Sequence, residues 1–111
     1  MAGYFELKPA AGGQFMFNLK AGNHEVILTS ERYTSKAAAE NGIASVKTNA
    51  PNDALFQRKT AKDGSPYFVL VASNGQTIGK SEMYSSASSM ENGIKSVKQN
   101  APTATTKDLT T

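Results

Sequence analysis

The chain of 111 residues contains the same sequence twice, 51 positions apart. Residues 4–51 align with residues 55–102 without a gap, and 23 of the 48 aligned pairs are identical. An internal repeat of this kind indicates two copies of one supersecondary unit. A unit of about 50 residues exposes much of its surface and is marginally stable alone. The repeat therefore predicts a single domain, residues 1–111, in which two units share one core about an approximate two-fold axis.

Each repeat predicts three strands followed by a helix. The segments YFELK, QFMFNLK and HEVILTS alternate apolar and polar residues as half-buried strands do, and LFQRK, PYFVLVA and QTIGKS correspond to them in the second repeat. Asn74-Gly75 is typical of a two-residue type I′ turn. The helix should cover the face that carries Phe5, Phe17, Leu19 and Ile27, with their equivalents Phe56, Phe68, Leu70 and Ile78.

The two predicted helices begin and end alike. Ser35 and Ser86 stand where an N-cap hydroxyl accepts from a backbone N–H. Asn49 and Asn100, each followed by Ala-Pro, predict the ends, because Asn tolerates the left-handed conformation and Pro cannot continue a helix. The apolar stripes are Ala39, Ile43, Val46 and Ala50, and Met90, Ile94, Val97 and Ala101. We expect both stripes to pack on the sheet.

Gly42 and Gly93 lie inside these helices, where Gly costs about 1 kcal/mol relative to Ala. Close approach of the helix to the sheet, or to the ring of Tyr33 or Tyr84, would offset that cost. A bound backbone or ligand is the alternative explanation. We favour packing.

A second repeated phrase, SERYTS at 30–35 and SEMYSS at 81–86, lies between the third strand and the helix. Glu31 and Glu82 are expected near a helix start, where the dipole favours negative charge. The rings of Tyr33 and Tyr84 are expected to close the end of the core. The functional alternative is a pair of equivalent pockets in which these four residues recognise a ligand, and they are our candidate interaction residues.

The sequence offers little for catalysis or metal binding. It contains no cysteine and one histidine, His24, whose equivalent is Gly75. A lone imidazole does not build a zinc site, and a position that the other copy fills with Gly is typical of a turn. No Walker loop, GxGxxG or HExxH motif is present, and the serines have no catalytic partners. We expect no enzyme activity, catalytic residue, metal or cofactor.

The charge balance is weakly basic, with 12 basic and 9 acidic residues. Nucleic-acid-binding proteins concentrate basic residues on one face, whereas these are scattered along the chain. The sheet face away from the helices is expected to carry Met16, Asn18, Lys20, Val26, Leu28, Tyr67, Val69, Val71 and Thr77. Such a face is too apolar and too weakly basic to track phosphates, so we expect a protein or peptide partner. Weak nucleic-acid binding through the sheet face and the scattered Lys and Arg residues is the alternative.

No apolar run approaches the roughly 18–20 residues of a membrane span, and the amino terminus has no secretory signal pattern. We expect a cytoplasmic protein without membrane contact. Because duplication replaces dimerisation, we expect a monomer.

Three repeated motifs together resemble the YegP-like family of small bacterial proteins of unknown function. They are F-x-L-x-A-x-N at 17–23 and 68–74, S-E-x-Y at 30–33 and 81–84, and N-G-I-x-S-V-K-x-N-A-P at 41–51 and 92–102. The resemblance implies an α+β fold of two β-β-β-α(-β) repeats in one antiparallel sheet, with both helices on one face and the C-terminal strands exchanged. Residues 103–111 would form the closing strand, the alternative being a frayed tail. The resemblance implies no activity or cofactor.

Overall fold

The computed structural model describes residues 3–110, and Met1, Ala2 and Thr111 of the predicted domain lie outside the described residues. One sheet contains β1 (Tyr4–Ala10), β2 (Gln14–Lys20), β3 (Val26–Ser30), β4 (Phe56–Thr60), β5 (Pro66–Val71), β6 (Thr77–Lys80) and β7 (Thr105–Asp108), in the order β4-β5-β6-β3-β2-β1-β7. Helices α1 (Lys36–Asn49) and α2 (Ala87–Asn100) both pack on one face of it. The predicted α+β fold is confirmed. Among residues 3–110, no helix has the length and apolar character that crossing a bilayer requires.

A two-fold axis relates the repeats and passes between β3 and β6, at the centre of the sheet. Thr29 of β3 pairs with Lys80 of β6, and these residues are equivalents in the 51-residue offset. Equivalent residues pair with one another only at such an axis. The predicted pseudo-symmetry is therefore present, and the sheet is continuous across it.

The helices and the sheet enclose one core to which both repeats contribute. All the predicted strand and helix core residues are buried in it. Phe5 packs edge-to-face on Phe17, and Phe56 on Phe68, each with ring centroids 5.7 Å apart. Burial of each such side chain contributes about 1.5–3 kcal/mol, so this shared core is the main source of stability.

A bulge in β3 moves one predicted surface residue into the core. Leu19 lies opposite Leu28, whereas Lys20 lies opposite Val26, so Ile27 is the extra residue. Leu28, predicted on the face away from the helices, is therefore fully buried beside them. That prediction is wrong because strict alternation does not continue through a bulge.

The equivalent of Leu28 is Gly79, and the two-fold axis explains the difference. A Cβ at Gly79 would lie 2.9 Å from Cγ of Leu28 and 3.0 Å from the carbonyl oxygen of Thr29. The Leu28 side chain thus fills the space that a side chain at Gly79 would need. Only one of the two positions has room for a large residue.

The helix starts and the end positions at Asn49 and Asn100 are confirmed, but the backbone conformation at the ends differs from the prediction. Ser35 and Ser86 each accept a backbone N–H bond of 3.1 Å in the first helical turn. Asn49 and Asn100 are helical rather than left-handed, since among described residues other than Gly only His24 has positive φ. Their side chains instead donate at 2.8 Å to the carbonyl one turn earlier. The following Ala-Pro ends each helix.

The hairpin turn in the second repeat is also longer than predicted. Asn74 does not have the positive φ that a type I′ turn needs, whereas Gly75 does, with φ 85°. The Ala72 amide donates to the Gln76 carbonyl at 2.8 Å and closes a loop of three residues, 73–75, within which the Gly75 amide donates to the Ala72 carbonyl at 2.8 Å. His24, with φ 70°, occupies the same place in the first repeat, so its assignment to a turn is confirmed.

Among the strands of residues 3–110, only β7 departs from antiparallel pairing, because it runs parallel to β1. Helix α2 ends beside the start of β1, where the Gly3 amide donates to the Asn100 side chain at 3.0 Å. After α2 the chain enters the sheet beside the start of β1, so β7 and β1 run in the same direction. The predicted closing strand is confirmed at residues 105–108, and the strand after each helix lies in the opposite half of the sheet.

Strand β7 covers the edge at β1 and leaves β4 as the free edge. Next to β7, Leu7 and Ala104 are buried. Their equivalents at the free edge, Arg58 and Asp53, are charged and exposed. An ion network there joins Arg58 to Glu91 at 2.9 Å, Arg58 to Asp53 at 3.2 Å and Lys98 to Asp53 at 2.7 Å. Charged groups on an unpaired edge discourage its pairing with other chains.

Moving the leucine across the axis tests the packing at Gly79. Gly79→Leu alone overfills the axis, and we expect the free energy of unfolding to fall by about 1–3 kcal/mol. Leu28→Ala alone leaves a cavity and costs about 2–5 kcal/mol. In the double variant, the new leucine at position 79 fills the cavity left at position 28. The decrease in its free energy of unfolding, measured by urea denaturation, should therefore be smaller than the sum of the decreases in the two single variants. Additive losses would show that the two positions do not share one space.

We expect the attachment of β7 to depend on pH through Asp108. Lys36 lies 2.6 Å from its carboxylate, and this contact, with the Thr110 bonds, lowers the pKa of Asp108 to about 2. Because the folded pKa is below the ordinary 3.8, the stabilisation is complete above that value and is lost as the pH falls toward 2. In Lys36→Ala we expect a higher Asp108 pKa and faster β7 amide exchange by NMR at neutral pH. Lys47→Ala is the control, and an unchanged pKa in Lys36→Ala would contradict the assignment.

Candidate functional site

Two grooves lie where the repeats meet, one on each side of the two-fold axis. The Tyr33 groove, about 480 Å³, is bordered by Glu31, Tyr33, Asn41 and Gly42 of the first repeat and by Ala72, Asn74 and Gln76 of the second. The Tyr84 groove, about 760 Å³, is bordered by Glu82, Tyr84, Asn92 and Gly93 of the second repeat and by Ala21, Asn23 and Glu25 of the first. Each residue lining the Tyr33 groove has its repeat equivalent in the Tyr84 groove, to which only His24 is added.

The four predicted interaction residues are divided between the grooves. Glu31 and Tyr33 line one groove, and Glu82 and Tyr84 line the other. The structure does not bring the two pairs into a single site. A hairpin of the opposite repeat completes each groove, so a groove exists only when both repeats are folded together.

The tyrosine rings pack on the core and border the grooves. Tyr33 stacks on Phe17 and Tyr84 on Phe68, each with centroids 6.2 Å apart. Among residues 3–110, neither hydroxyl has a hydrogen-bond partner. Burial raises the pKa of both hydroxyls above the ordinary value of 10, so both are protonated at neutral pH and able to donate to a ligand.

The two helical glycines provide the room for these rings. A Cβ at Gly42 would overlap the Tyr33 hydroxyl and lie 2.8 Å from Cζ, and a Cβ at Gly93 would overlap the Tyr84 hydroxyl and lie 2.7 Å from Cζ. Such distances are far inside van der Waals contact. The predicted close approach of the helix to the tyrosine ring is therefore confirmed.

The glutamates do not have the helix-dipole role that the sequence predicted. Glu31 and Glu82 precede the N-caps by four residues, and neither lies in the first turn of its helix. Ser30 and Ser81 hold the backbone there by donating to the carbonyls of these glutamates, at 2.7 and 2.8 Å. Both carboxylates belong to exposed residues and form no ion pair within residues 3–110. They are available to a ligand.

The grooves differ in charge at two positions. Arg32 lines the Tyr33 groove, and its equivalent in the Tyr84 groove is Met83, which is 47% exposed. Gln76 of the Tyr33 groove is replaced by Glu25. The Tyr33 groove therefore contains one residue of each charge, and the Tyr84 groove contains two carboxylates and no Lys or Arg.

The field of the two carboxylates reaches Tyr84. After burial, Glu25 and then Glu82 contribute to raising the pKa of the Tyr84 hydroxyl. Like charges near a phenol disfavour its ionised form, and they favour a cation in the same place. The Tyr84 groove is thus an electronegative cleft with an apolar rim.

Among the groove residues outside SERYTS and SEMYSS, sequence reasoning considered only Gly42 and Gly93 as ligand contacts and missed the others. Asn41 and Asn92 are exposed and identical in the two repeats, and this identity at a solvent-facing position is the signal that would have found them. Glu25 carries no such signal, because its equivalent is Gln76 and it reaches the groove from the other repeat.

Enlarging Gly93 should displace Tyr84 from Phe68. We expect Gly93→Ala to lower the free energy of unfolding by about 1–3 kcal/mol, measured in urea. In a Tyr84→Ala background the same change becomes neutral or stabilising, because Ala is the better helix former by about 1 kcal/mol. An equal cost in both backgrounds would show that another neighbour excludes the Cβ.

Comparison with known proteins agrees with the two-repeat reading. The family described as "Domain of unknown function (DUF1508)" matches residues 10–57 and again residues 61–108. A UPF0339 protein of Bordetella pertussis is 69% identical over 110 residues, which is 99% of this chain and 98% of that one. The UPF0339 protein YegP of Escherichia coli O157:H7 is 56% identical over 110 residues, covering 99% and 100%.

Two solution NMR structures have the same fold. That of YegP from E. coli, described as a protein of unknown function, has a TM-score of 0.93 at 55% identity and covers 99% of this chain and 95% of that one. The UPF0339 protein of Shewanella oneidensis gives the same TM-score and identity, with 99% and 93% covered. The matched ranges, the identities and the shared fold show that this chain belongs to the DUF1508 family, with two copies of the family's repeat.

Proposed function

We propose that the protein is a non-catalytic interaction module that binds a peptide segment of a protein partner in its two grooves. The observation that supports this is the matched pair of grooves, each built from both repeats and each bordered by a tyrosine hydroxyl without a partner in the described chain. Such hydroxyls, with neighbouring Asn side chains, provide the polar contacts that orient an extended peptide.

The chemistry of the grooves favours binding over catalysis. A tyrosine with a raised pKa is a poor general base at neutral pH, because almost none of it is ionised. A protonated phenol on a rigid core, however, is an effective hydrogen-bond donor and apolar contact surface. Both properties suit recognition.

The Tyr84 groove is suited to an arginine or lysine side chain. Glu25 and Glu82 supply two carboxylates there, and Met83 and Tyr84 supply apolar surface for the aliphatic stem. In the Tyr33 groove, Arg32 opposes the binding of a second cation. We therefore propose that the partner peptide places a basic residue in the Tyr84 groove and an uncharged one in the Tyr33 groove.

An arginine tripeptide and its citrulline analogue test this assignment. Citrulline has nearly the shape of arginine without the charge. In two-dimensional NMR titrations we expect acetyl-Gly-Arg-Gly-amide to shift the amides around Met83 and Ser89, with a Kd of about 1 mM. Two partly exposed charge contacts contribute up to about 1 kcal/mol each, so the citrulline peptide should bind about 5- to 30-fold more weakly.

A matched pair of variants locates the contact. Glu82→Gln removes one of the two charge contacts and should lower the preference for arginine to about 2- to 5-fold, while Glu31→Gln, the same change in the other groove, should leave it intact. Equal shifts from the arginine and citrulline peptides, or shifts confined to the Tyr33 groove, would overturn the assignment.

A further inference from the structure

The fold gathers lysines that are scattered in the sequence onto the sheet face away from the helices. One row of paired residues crosses all seven strands on this face: Lys107, Glu6, Asn18, Thr29, Lys80, Val69 and Gln57. Lys8 lies two residues after Glu6 in β1, and Lys20 lies two residues after Asn18 in β2, so both lysines are on this same face. Lys59 pairs with Tyr67, which lies two residues before Val69 in β5, so this pair is on the face as well. We name this surface the open face.

Charge is unevenly divided between the open face and the rest of the molecule. The open face carries five lysines and one glutamate, which is a charge of +4. The other seven basic and eight acidic residues sum to −1. The expectation that this face is too weakly basic for phosphate therefore does not hold for the folded chain.

Most of the positive charge on the open face is unneutralised. Glu6 pairs only with Lys20, at 3.0 Å. Lys8, Lys59, Lys80 and Lys107 have no carboxylate partner among residues 3–110, and the last three are exposed. Free, exposed ammonium groups on one surface attract a polyanion and release its counterions on binding.

The open face also contains aromatic and hydrogen-bonding groups. Tyr67 is half-buried there, with the Lys80 ammonium 5.2 Å from its ring centroid. Gln57 and Thr29 lie on the same surface. A sheet that presents an aromatic ring among basic and polar side chains is a platform on which unpaired bases stack.

The width of the sheet favours single-stranded over double-stranded nucleic acid as the ligand. Seven strands spaced about 4.8 Å apart span about 29 Å, which is far too wide to enter a major groove of about 12 Å. We infer that the open face binds single-stranded nucleic acid, with its phosphates on Lys8, Lys59, Lys80 and Lys107 and a base against Tyr67. None of these five residues lines either groove, so either assignment can fail without the other.

Fluorescence anisotropy with a labelled oligothymidylate of about 12 nucleotides tests the inference. Each single-stranded phosphate contact contributes a slope of about −0.7 to log K against log salt, so four contacts weaken binding about 50-fold between 50 and 200 mM salt. The variant Lys59→Gln/Lys80→Gln keeps two of the four contacts, so its affinity should fall only about 7-fold over the same salt range. Tyr67→Ala should weaken binding about 5-fold or more without changing the slope.

The matched control is Lys47→Gln/Lys95→Gln, which removes the same charge from the helices. We expect it to keep the wild-type slope, and we expect a duplex of equal length to compete poorly. Equal loss in both double variants would overturn the inference in favour of general charge attraction. Binding to phosphatidylcholine–phosphatidylglycerol vesicles without binding to the oligonucleotide would overturn it in favour of a lipid surface.

Discussion

The pairing of β3 with β6 across the two-fold axis joins the two halves of the molecule. Only Thr29 with Lys80 and Ser30 with Gly79 are in register there, extended by a bond of 3.2 Å from the Glu31 amide to the Ile78 carbonyl. So short a ladder is weak by itself. The ladder is stabilised by the continuous core beneath it. Both grooves form because a hairpin of each repeat borders the groove of the other repeat.

Differences between the repeats separate into those that packing explains and those that it does not. Leu28 and Gly79 differ because they compete for one space at the axis. Leu7 and Arg58 differ because β7 covers one edge of the sheet and nothing in the described chain covers the other. No comparable packing constraint acts on the exposed Met83, so we propose that recognition, and not folding, accounts for the charge difference between the grooves.

The strands, helices, N-caps and core could be predicted from the sequence, because each depends on a local residue pattern that is present in both repeats. The bulge at Ile27 could not be predicted, because in a run of apolar residues an extra residue leaves no change in the hydrophobic pattern. The direction of β7 depends on the contact between Asn100 and Gly3, which are 97 positions apart. The clustering of Lys80 and Lys107 likewise depends on the order of strands in the sheet. The candidate glutamates and tyrosines could be named from the repeat, but their division into two grooves could not.

Duplication places different constraints on the two faces of the sheet. Most positions facing the helices fill one shared core and are identical in the two repeats, as Phe17 and Phe68 are; Leu7, Leu28 and Ala39 are the exceptions. Positions on the open face have diverged, and Lys20 has Val71 as its equivalent. Among the open-face lysines only Lys8 and Lys59 are equivalents, so a strand of nucleic acid would meet different groups on either side of the axis. It would therefore bind in a preferred direction, whereas the two grooves keep equivalent lining positions and differ in charge.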